Sequence, residues 1–327
     1  MTKTDWDAIV IGGGAAGLSA AQALGRSLRR TLVLDGGAPR NRFAAHMHNV
    51  LGLDGTPPLE LLDRGRAEAE GYGVEFRAAQ VRAVRDTVEG AGSPQPVGGS
   101  VSVELESGEV LTTRALVAAT GVTDVLPEIA GLAERWGRSV LHCPYCHGWE
   151  VRGTRIAVVT TSPMGLHQAK LLRQWSDDVT VFTEGLVDAE GSSVLDADTE
   201  RGLRARGVRL VPAPVEEVVG SGSQVSAVRT SDGQEFAIDA VFTGFAMVPQ
   251  DGFLSELALD RSDTPMGAFI AVDTMQRTSH PRVWAAGNIV SPAATVPLVM
   301  GAGTMAGAAV NAALVDEDYA LAAAEVV

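Results

Sequence analysis

The chain sets short, wholly apolar runs between longer mixed stretches, and it does so twice in the same order. Asp7 to Ile11 is the first apolar run; Gly12-Gly13-Gly14-Ala15-Ala16-Gly17 then opens a stretch of helical periodicity to about Leu28, and Thr31 to Leu34, closed by Asp35, is the next run. Short apolar runs bounded by turn signals read as buried strands, and strand, helix, strand in this order reads as a βαβ unit. The order returns later, with a strand from Arg155 to Val159, a helix from about Gly165 to Trp175, and a strand from Val179 to Phe182 closed by Glu184.

The remainder of each unit repeats as well. VSVELESGEVLTTRALVAATG (101–121) predicts a hairpin and a strand ending at a glycine turn, and VSAVRTSDGQEFAIDAVFTGF (225–245) has the same rhythm. The fold class is therefore α/β, with two Rossmann-like, three-layer ββα domains of the dinucleotide-binding type. From about Phe245 no new βαβ unit begins, so that segment is expected to complete the first domain. This gives a discontinuous domain of residues 1–121 plus 245–327 and an inserted domain of 122–244. The Gly- and Pro-rich stretch from Glu89 to Ser100 reads as a solvated turn.

Composition narrows the function. With 327 residues, 46% of them hydrophobic, the chain can bury two cores. Its 40 acidic and 26 basic residues give a net charge of −14, which argues against nucleic acid or an anionic membrane as partner. No charged residue occurs from Val283 to Val315, long enough to raise a membrane span, but Pro292 and Pro297 interrupt it and small residues fill it. A buried helix is expected there. The start, MTKTDWDAIVIGGG, lacks the basic region, apolar core and cleavage site of a secretory signal, so a cytoplasmic location is expected.

Two motifs carry chemistry. The first is the Gly-x-Gly-x-x-Gly run, which follows a strand, opens a helix and has an acid, Asp35, some distance on. In such a run Gly12 makes the tight turn, Gly14 lets backbone approach a pyrophosphate, and Gly17 allows close packing of helix on sheet. The helix N-terminus then holds the phosphates and Asp35 accepts a ribose hydroxyl. The second is Cys143-Pro144-Tyr145-Cys146, which holds the only two cysteines. Its spacing suits a redox disulfide. Zinc would need about four ligands, and no second pair exists for which His142 and His147 could make up the set. Cys-x-x-Cys-His also spells a c-type haem attachment site, which would require export.

GGGAAGLSAA, Ala119-Thr120-Gly121 and Val283-Trp284-Ala285-Ala286-Gly287-Asn288 together resemble the FAD signatures of low-molecular-weight thioredoxin reductases, along essentially the whole chain. The resemblance implies FAD held by Gly12, Gly14, Ala15, Ala16, Gly17 and Asp35, with Val81, Thr120, Gly121, Gly287 and Asn288, and with Asn49 at the ribityl chain. It also implies a homodimer, a terminal helix from Leu298 to Leu314 aimed at the flavin, Cys146 nearer the flavin and Cys143 open to exchange. The chain departs from the family in three places. Asn288 stands for the usual Asp, His147 for the usual acid after the second Cys, and Val296-Pro297 for Arg-Gln before the last helix. His147 is the candidate acid–base residue, with His142, His46 and His48 as weaker candidates.

The inserted domain lacks its own dinucleotide motif. Thr160-Thr161-Ser162-Pro163-Met164-Gly165 stands where glycines are needed, and Thr183-Glu184-Gly185 replaces the basic cluster that grips a 2′-phosphate. NADPH is therefore not expected. With Cys-x-x-Cys followed by His, the chain resembles the FAD-dependent dithiol oxidases that close the disulfides of gliotoxin, holomycin and romidepsin. The expected reaction oxidises a small-molecule dithiol, with oxygen as acceptor. The rival readings are a disulfide reductase with a donor other than NADPH, and a non-enzymatic redox sensor.

Overall fold

The structure is a computed structural model that describes residues 5–87 and 99–325, so most of the turn expected from Glu89 to Ser100 lies outside the described residues. The chain forms two compact units, one of residues 1–40, 59–123 and 247–327, the other of residues 41–58 and 124–246.

In the first unit, strand β1 (Trp6–Ile11), helix α1 (Ala15–Arg26) and strand β2 (Thr31–Asp35) form the predicted βαβ unit, followed by α2 (Pro58–Gly71), β3 (Glu75–Ala78), β4 (Val81–Asp86), β5 (Val101–Leu105) and β6 (Val110–Ala118). The sheet order is β3-β2-β1-β6-β5-β4. One strand joins its two layers. The first half of β6 runs antiparallel to β5, with Leu111 opposite Val103, and its second half runs parallel to β1, with Val117 opposite Val10. In chain order β7 (Val122–Val125) follows β6, and β16 (Ala246–Pro249), β17 (Arg261–Thr264) and β18 (Gly267–Ile270) precede β19 (Val283–Ala285), which also pairs with that second half; this is how the C-terminal segment completes the unit.

The last helix, α6 (Val296–Glu325), is longer than the expected Leu298–Leu314. It is long and apolar enough to cross a membrane, but it packs one face on α1: Ala306, Ala309, Val310 and Leu314 share a core with Ala16, Ala20, Ala21 and Leu24. Two glycines set the approach. A Cβ at Gly303 would overlap the Ala16 carbonyl, and one at Gly307 would lie 2.5 Å from the Ala20 carbonyl. Past Leu314 the sequence turns acidic, and the helix continues because those acids are anchored. Glu317 pairs with Arg114 at 2.8 Å and Arg282 at 2.7 Å, all three largely buried, and Asp318 pairs with Arg29 at 2.8 Å.

The second unit repeats the plan. Its parallel sheet has the order β11-β10-β9-β15-β8, from β8 (Val140–Leu141), β9 (Ile156–Val159), β10 (Val179–Phe182), β11 (Arg209–Val211) and β15 (Ala240–Thr243). Helix α3 (Pro144–His147) follows β8, α4 (Gly165–Leu172) follows β9 and α5 (Ala197–Ala205) follows β10. The antiparallel insert is β12 (Val215–Ser221), β13 (Gln224–Thr230) and β14 (Glu235–Ala237). Here the repeat is imperfect: the counterpart of the unbroken β6 is split between β14 and β15. The break falls at Asp239, whose carboxylate accepts from the Arg155 backbone N–H and guanidinium, both at 2.9 Å, while its own N–H donates to the Arg155 carbonyl at 2.8 Å.

The segment Asn41–Pro58, expected in the first domain, is counted with the second unit by its contacts. Phe43 sits against Gly137, which has a φ of +73° and where a Cβ would lie 2.7 Å from Phe43 Cβ, and His48 faces Glu150. We expect Gly303→Ala to destabilise the protein by about 2–3 kcal/mol, the usual cost of overpacking a tight core contact. A denaturant titration checks this; unchanged stability would mean that α1 and α6 are free to separate.

Candidate active site

The first glycine motif folds as its spacing requires. Gly12 has a φ of +103°, and a Cβ there would lie 2.5 Å from the Ala119 carbonyl oxygen. A Cβ on Gly17 would overlap the Gly12 carbonyl, so this glycine brings α1 onto the turn. The Gly13 N–H donates to Asp35 at 3.0 Å, fixing the acid at the end of β2. A Cβ on Gly14 would meet nothing within 4 Å. Gly14 is also the N-cap of α1, with no side chain capping the helix, and the first intrahelical bond runs from Leu18 N–H to Gly14 carbonyl. The amides of Ala15, Ala16 and Gly17 thus face an open cradle at a positive helix end, which fits a dinucleotide pyrophosphate.

Of the other predicted cofactor residues, Gly287 and Thr120 lie beside this motif. Gly287 has a φ of +88°, and a Cβ there would lie 2.9 Å from Ala16 Cβ. Thr120 donates its hydroxyl to the Gln250 carbonyl at 2.6 Å, and Gly121, with a φ of +72°, faces open space. Val296 and Pro297 form the first turn of α6 rather than preceding it, and proline suits that position. Val81 begins β4 and joins the apolar cluster on the other face of the sheet. Asn49 takes a left-handed φ of +63° and lies in the segment counted with the second unit. Asn288 does something the sequence did not reveal. Its Nδ2 lies 2.9 Å from the Ser291 carbonyl, 3.0 Å from that of Ala294 and 3.1 Å from that of Pro292, so the amide shapes the loop before α6. A carboxylate cannot donate to any of them.

Cys143 and Cys146 form a disulfide. Cys143 is the N-cap of α3, Pro144 occupies its first turn, and the Cys146 N–H donates to Cys143 Sγ at 3.1 Å. The same donor would stabilise a Cys143 thiolate after reduction. Gly148 lets this short helix settle, since a Cβ there would lie 2.7 Å from the Trp175 ring. Tyr145 and Trp149, flanking the pair, are exposed.

His147 closes α3. Its Nδ1 is buried without a hydrogen-bond partner among the described residues, and burial pushes the imidazole below the ordinary histidine pKa; nearby Glu150 opposes that shift and His48 adds to it. The ring is therefore neutral at pH 7 and able to accept a proton. His142 is held differently. Its Nδ1 lies 3.0 Å from the Thr243 carbonyl, its ring packs 4.4 Å from Phe245, and Gln168 Nε2 donates to its carbonyl at 2.7 Å. Those contacts give His142 a task in the scaffold. Sequence reasoning missed Glu150 and Asp54, which flank His48, and Gln168; only the three-residue spacing of Glu150 from His147 hinted at any of them.

The second nucleotide loop is closed. The N–H groups of Gly165, Leu166 and His167 donate to the carbonyls of Ser162, Pro163 and Met164 at 3.0–3.1 Å, so the start of α4 satisfies itself. The Thr160 hydroxyl is turned inward onto the Phe182 carbonyl at 2.7 Å, and a Cβ on Gly185 would overlap the Thr160 carbonyl. A cavity of about 350 Å³ remains beside this loop, lined by Thr160, Thr161, Glu184, Ile129, Val187 and Val215 among others. None of its lining residues carries a positive charge to meet a phosphate.

The family model described as pyridine nucleotide-disulphide oxidoreductase matches residues 6–313. The chain belongs to that family. Among these oxidoreductases it is 42% identical to HlmI, whose crystal structure superposes with a TM-score of 0.89 over 98% of this chain and 96% of that one. It is 38% identical to an oxidoreductase from Agrobacterium tumefaciens, with a TM-score of 0.84 over 95% of this chain and 98% of that one. Thioredoxin reductase tcpT of Claviceps purpurea is 31% identical, and the match covers 92% of each chain. The architecture is that of the low-molecular-weight thioredoxin reductases.

In this oxidoreductase, Asn288→Asp is expected to cost about 1–3 kcal/mol, because a carboxylate oxygen would replace a donor facing three carbonyls. Thermal unfolding of the variant checks this. An unchanged midpoint would show that the loop does not depend on the amide.

Proposed function

We propose that the protein oxidises a small-molecule dithiol to an intramolecular disulfide and passes the electrons through FAD to oxygen, giving hydrogen peroxide. The observation that carries this reading is a Cys pair beside a half-buried histidine whose pKa is lowered, in a unit whose own nucleotide loop is closed. The residues in the first unit around Gly14, Asp35 and Gly287 would hold the FAD, with Asn49 at the ribityl chain. FAD supplies there an acceptor for the two electrons of a reduced Cys pair and a route from it to oxygen.

The chain's own residues perform the exchange. A substrate thiolate attacks Cys143 Sγ, the Cys143–Cys146 bond breaks, and Cys146 leaves as a thiolate. The second substrate thiolate then attacks the substrate sulfur of the mixed disulfide and expels Cys143, whose thiolate accepts from the Cys146 N–H. Substrate loses two electrons and two protons; the Cys pair gains the electrons, His147 accepts one proton as the first thiol ionises and water takes the other, and oxygen takes up two protons in becoming hydrogen peroxide. The exposed rings of Tyr145 and Trp149 offer apolar surface next to the pair, which suits a small organic dithiol.

Oxygen uptake with a reduced small dithiol tests the reading. Turnover with peroxide release is expected, and Cys143→Ser should abolish it; thioredoxin-dependent disulfide reduction in place of oxygen uptake would overturn it. The pH profile follows from His147. Its pKa lies below the ordinary 6.5, so the rate should hold through neutrality and fall only on the acid side of pH 6.5, as the ring protonates. His147→Ala should remove that acid limb and slow turnover by about 10²-fold or more. A limb that survives the substitution would assign the base elsewhere.

A further inference from the structure

Each substrate dithiol oxidised sheds two protons, and His147, which accepts the first, lies inside the fold with its Nδ1 buried. A base in that position turns over only if its proton leaves. The neighbouring groups form a graded path. Beyond His147 the chain continues in a turn, with the Gly148 N–H bonded to the Pro144 carbonyl at 2.7 Å, and Glu150 and His48 both lie near enough to act on the charge of the His147 ring. Glu150 Oε1 lies 3.5 Å from His48 Nε2, and the opposite ring nitrogen, Nδ1, lies 3.4 Å from the Asp54 carboxylate. Side-chain exposure is 24% at His48, 37% at Glu150 and 70% at Asp54, so the path ends in water.

The far end is fixed in place. The Asn49 N–H donates to Asp54 Oδ1 at 3.0 Å, and Asn49 takes the left-handed backbone that turns its amide toward that acid. This hydrogen bond and the one from His48 hold the Asp54 carboxyl below its usual range, so it stays ionised at neutral pH. His48 therefore has a carboxylate on each side of its ring. An imidazole so placed takes a proton at one nitrogen and releases one from the other, without leaving its seat. Separations of 3.4–3.5 Å are at the long end for hydrogen bonds, as is common where contacts tighten only with substrate bound.

We propose that His48, between Glu150 and Asp54, is a proton carrier that conducts the proton from His147 to solvent. The proposal rests on the dithiol oxidase reading for its substrate. The proton passes from the substrate thiol to His147, then by Glu150 and His48 to Asp54 and water, and each group returns to its starting charge; oxygen takes two protons from water in becoming hydrogen peroxide, so the whole turnover releases none. His48 does not touch the exchanging sulfurs in this account; it acts through His147.

The test uses the flavin-loaded full-length enzyme with dithiothreitol as probe, following oxygen uptake in dilute buffer and then with added imidazole. His48→Ala and His48→Gln should each lower turnover by at least roughly tenfold, and imidazole should restore it while leaving the wild-type rate unchanged. A wild-type rate in both variants, or a loss that imidazole does not touch, would overturn the carrier role. A second measurement needs no turnover. Histidine NMR should show the His147 titration moving down in Glu150→Gln and up in His48→Ala, since the acid favours and the second ring disfavours its protonated form. If neither variant moves it, the groups are not coupled and the relay is refuted. Wild-type enzyme that titrates as expected but leaves dithiothreitol unoxidised would instead refute the oxidase reading.

Discussion

The backbone contact between α1 and α6 is the constraint on which the first unit, and the cradle at its glycine motif, depends. Gly303 brings α6 against the Ala16 carbonyl, Gly307 brings it against that of Ala20, and Gly17 presses the other side of α1 onto the Gly12 turn. Helix α1 is thus held on both flanks by positions that admit no side chain. Its first turn cannot drift, and the amides of Ala15, Ala16 and Gly17 keep their aim at the open space before Gly14. The buried carboxylate of Glu317, shared by Arg114 and Arg282, extends the same anchoring to the far end of α6.

The two units make opposite use of one architecture. Both place a helix between two parallel strands, α1 between β1 and β2 and α4 between β9 and β10, where a helix N-terminus collects anions. At α1 that terminus is uncapped and faces open space. At α4 the corresponding amides bond to the carbonyls of Ser162, Pro163 and Met164, and Glu184 stands by the remaining cavity. Under the proposed function, a chain built this way draws its electrons from something other than a nicotinamide in the second unit; the disulfide at the start of α3 would be their point of entry, and His147 with its outward neighbours the proposed route for protons.

Much of the fold was legible in the sequence because it rests on strong local signals. Apolar runs of strand length, the glycine spacing and the duplicated hairpin-and-strand rhythm led to both βαβ units with ends close to those observed. The failures have physical causes. Helix α6 outran its apolar stretch because Arg29, Arg114 and Arg282 neutralise its acidic end, and partners so distant in sequence leave no local trace. The split between β14 and β15 comes from Asp239 turning toward Arg155, again a distant pair. At the candidate site, the disulfide and the tight turn at the first glycine motif were readable from spacing. The contacts of Asn288, Asp54 and Glu150 were not, since each depends on groups brought together only by folding.

The central claim, that electrons enter from a dithiol and not from a nicotinamide, is tested most directly by an anaerobic absorbance titration of the flavin-loaded protein. The account predicts that a small dithiol bleaches the flavin band, that NADPH and NADH leave it unchanged, and that admitting air restores the colour. Prompt bleaching by NADPH would contradict it, and would mean that the closed loop at Thr160–Gly165 opens to admit a dinucleotide after all.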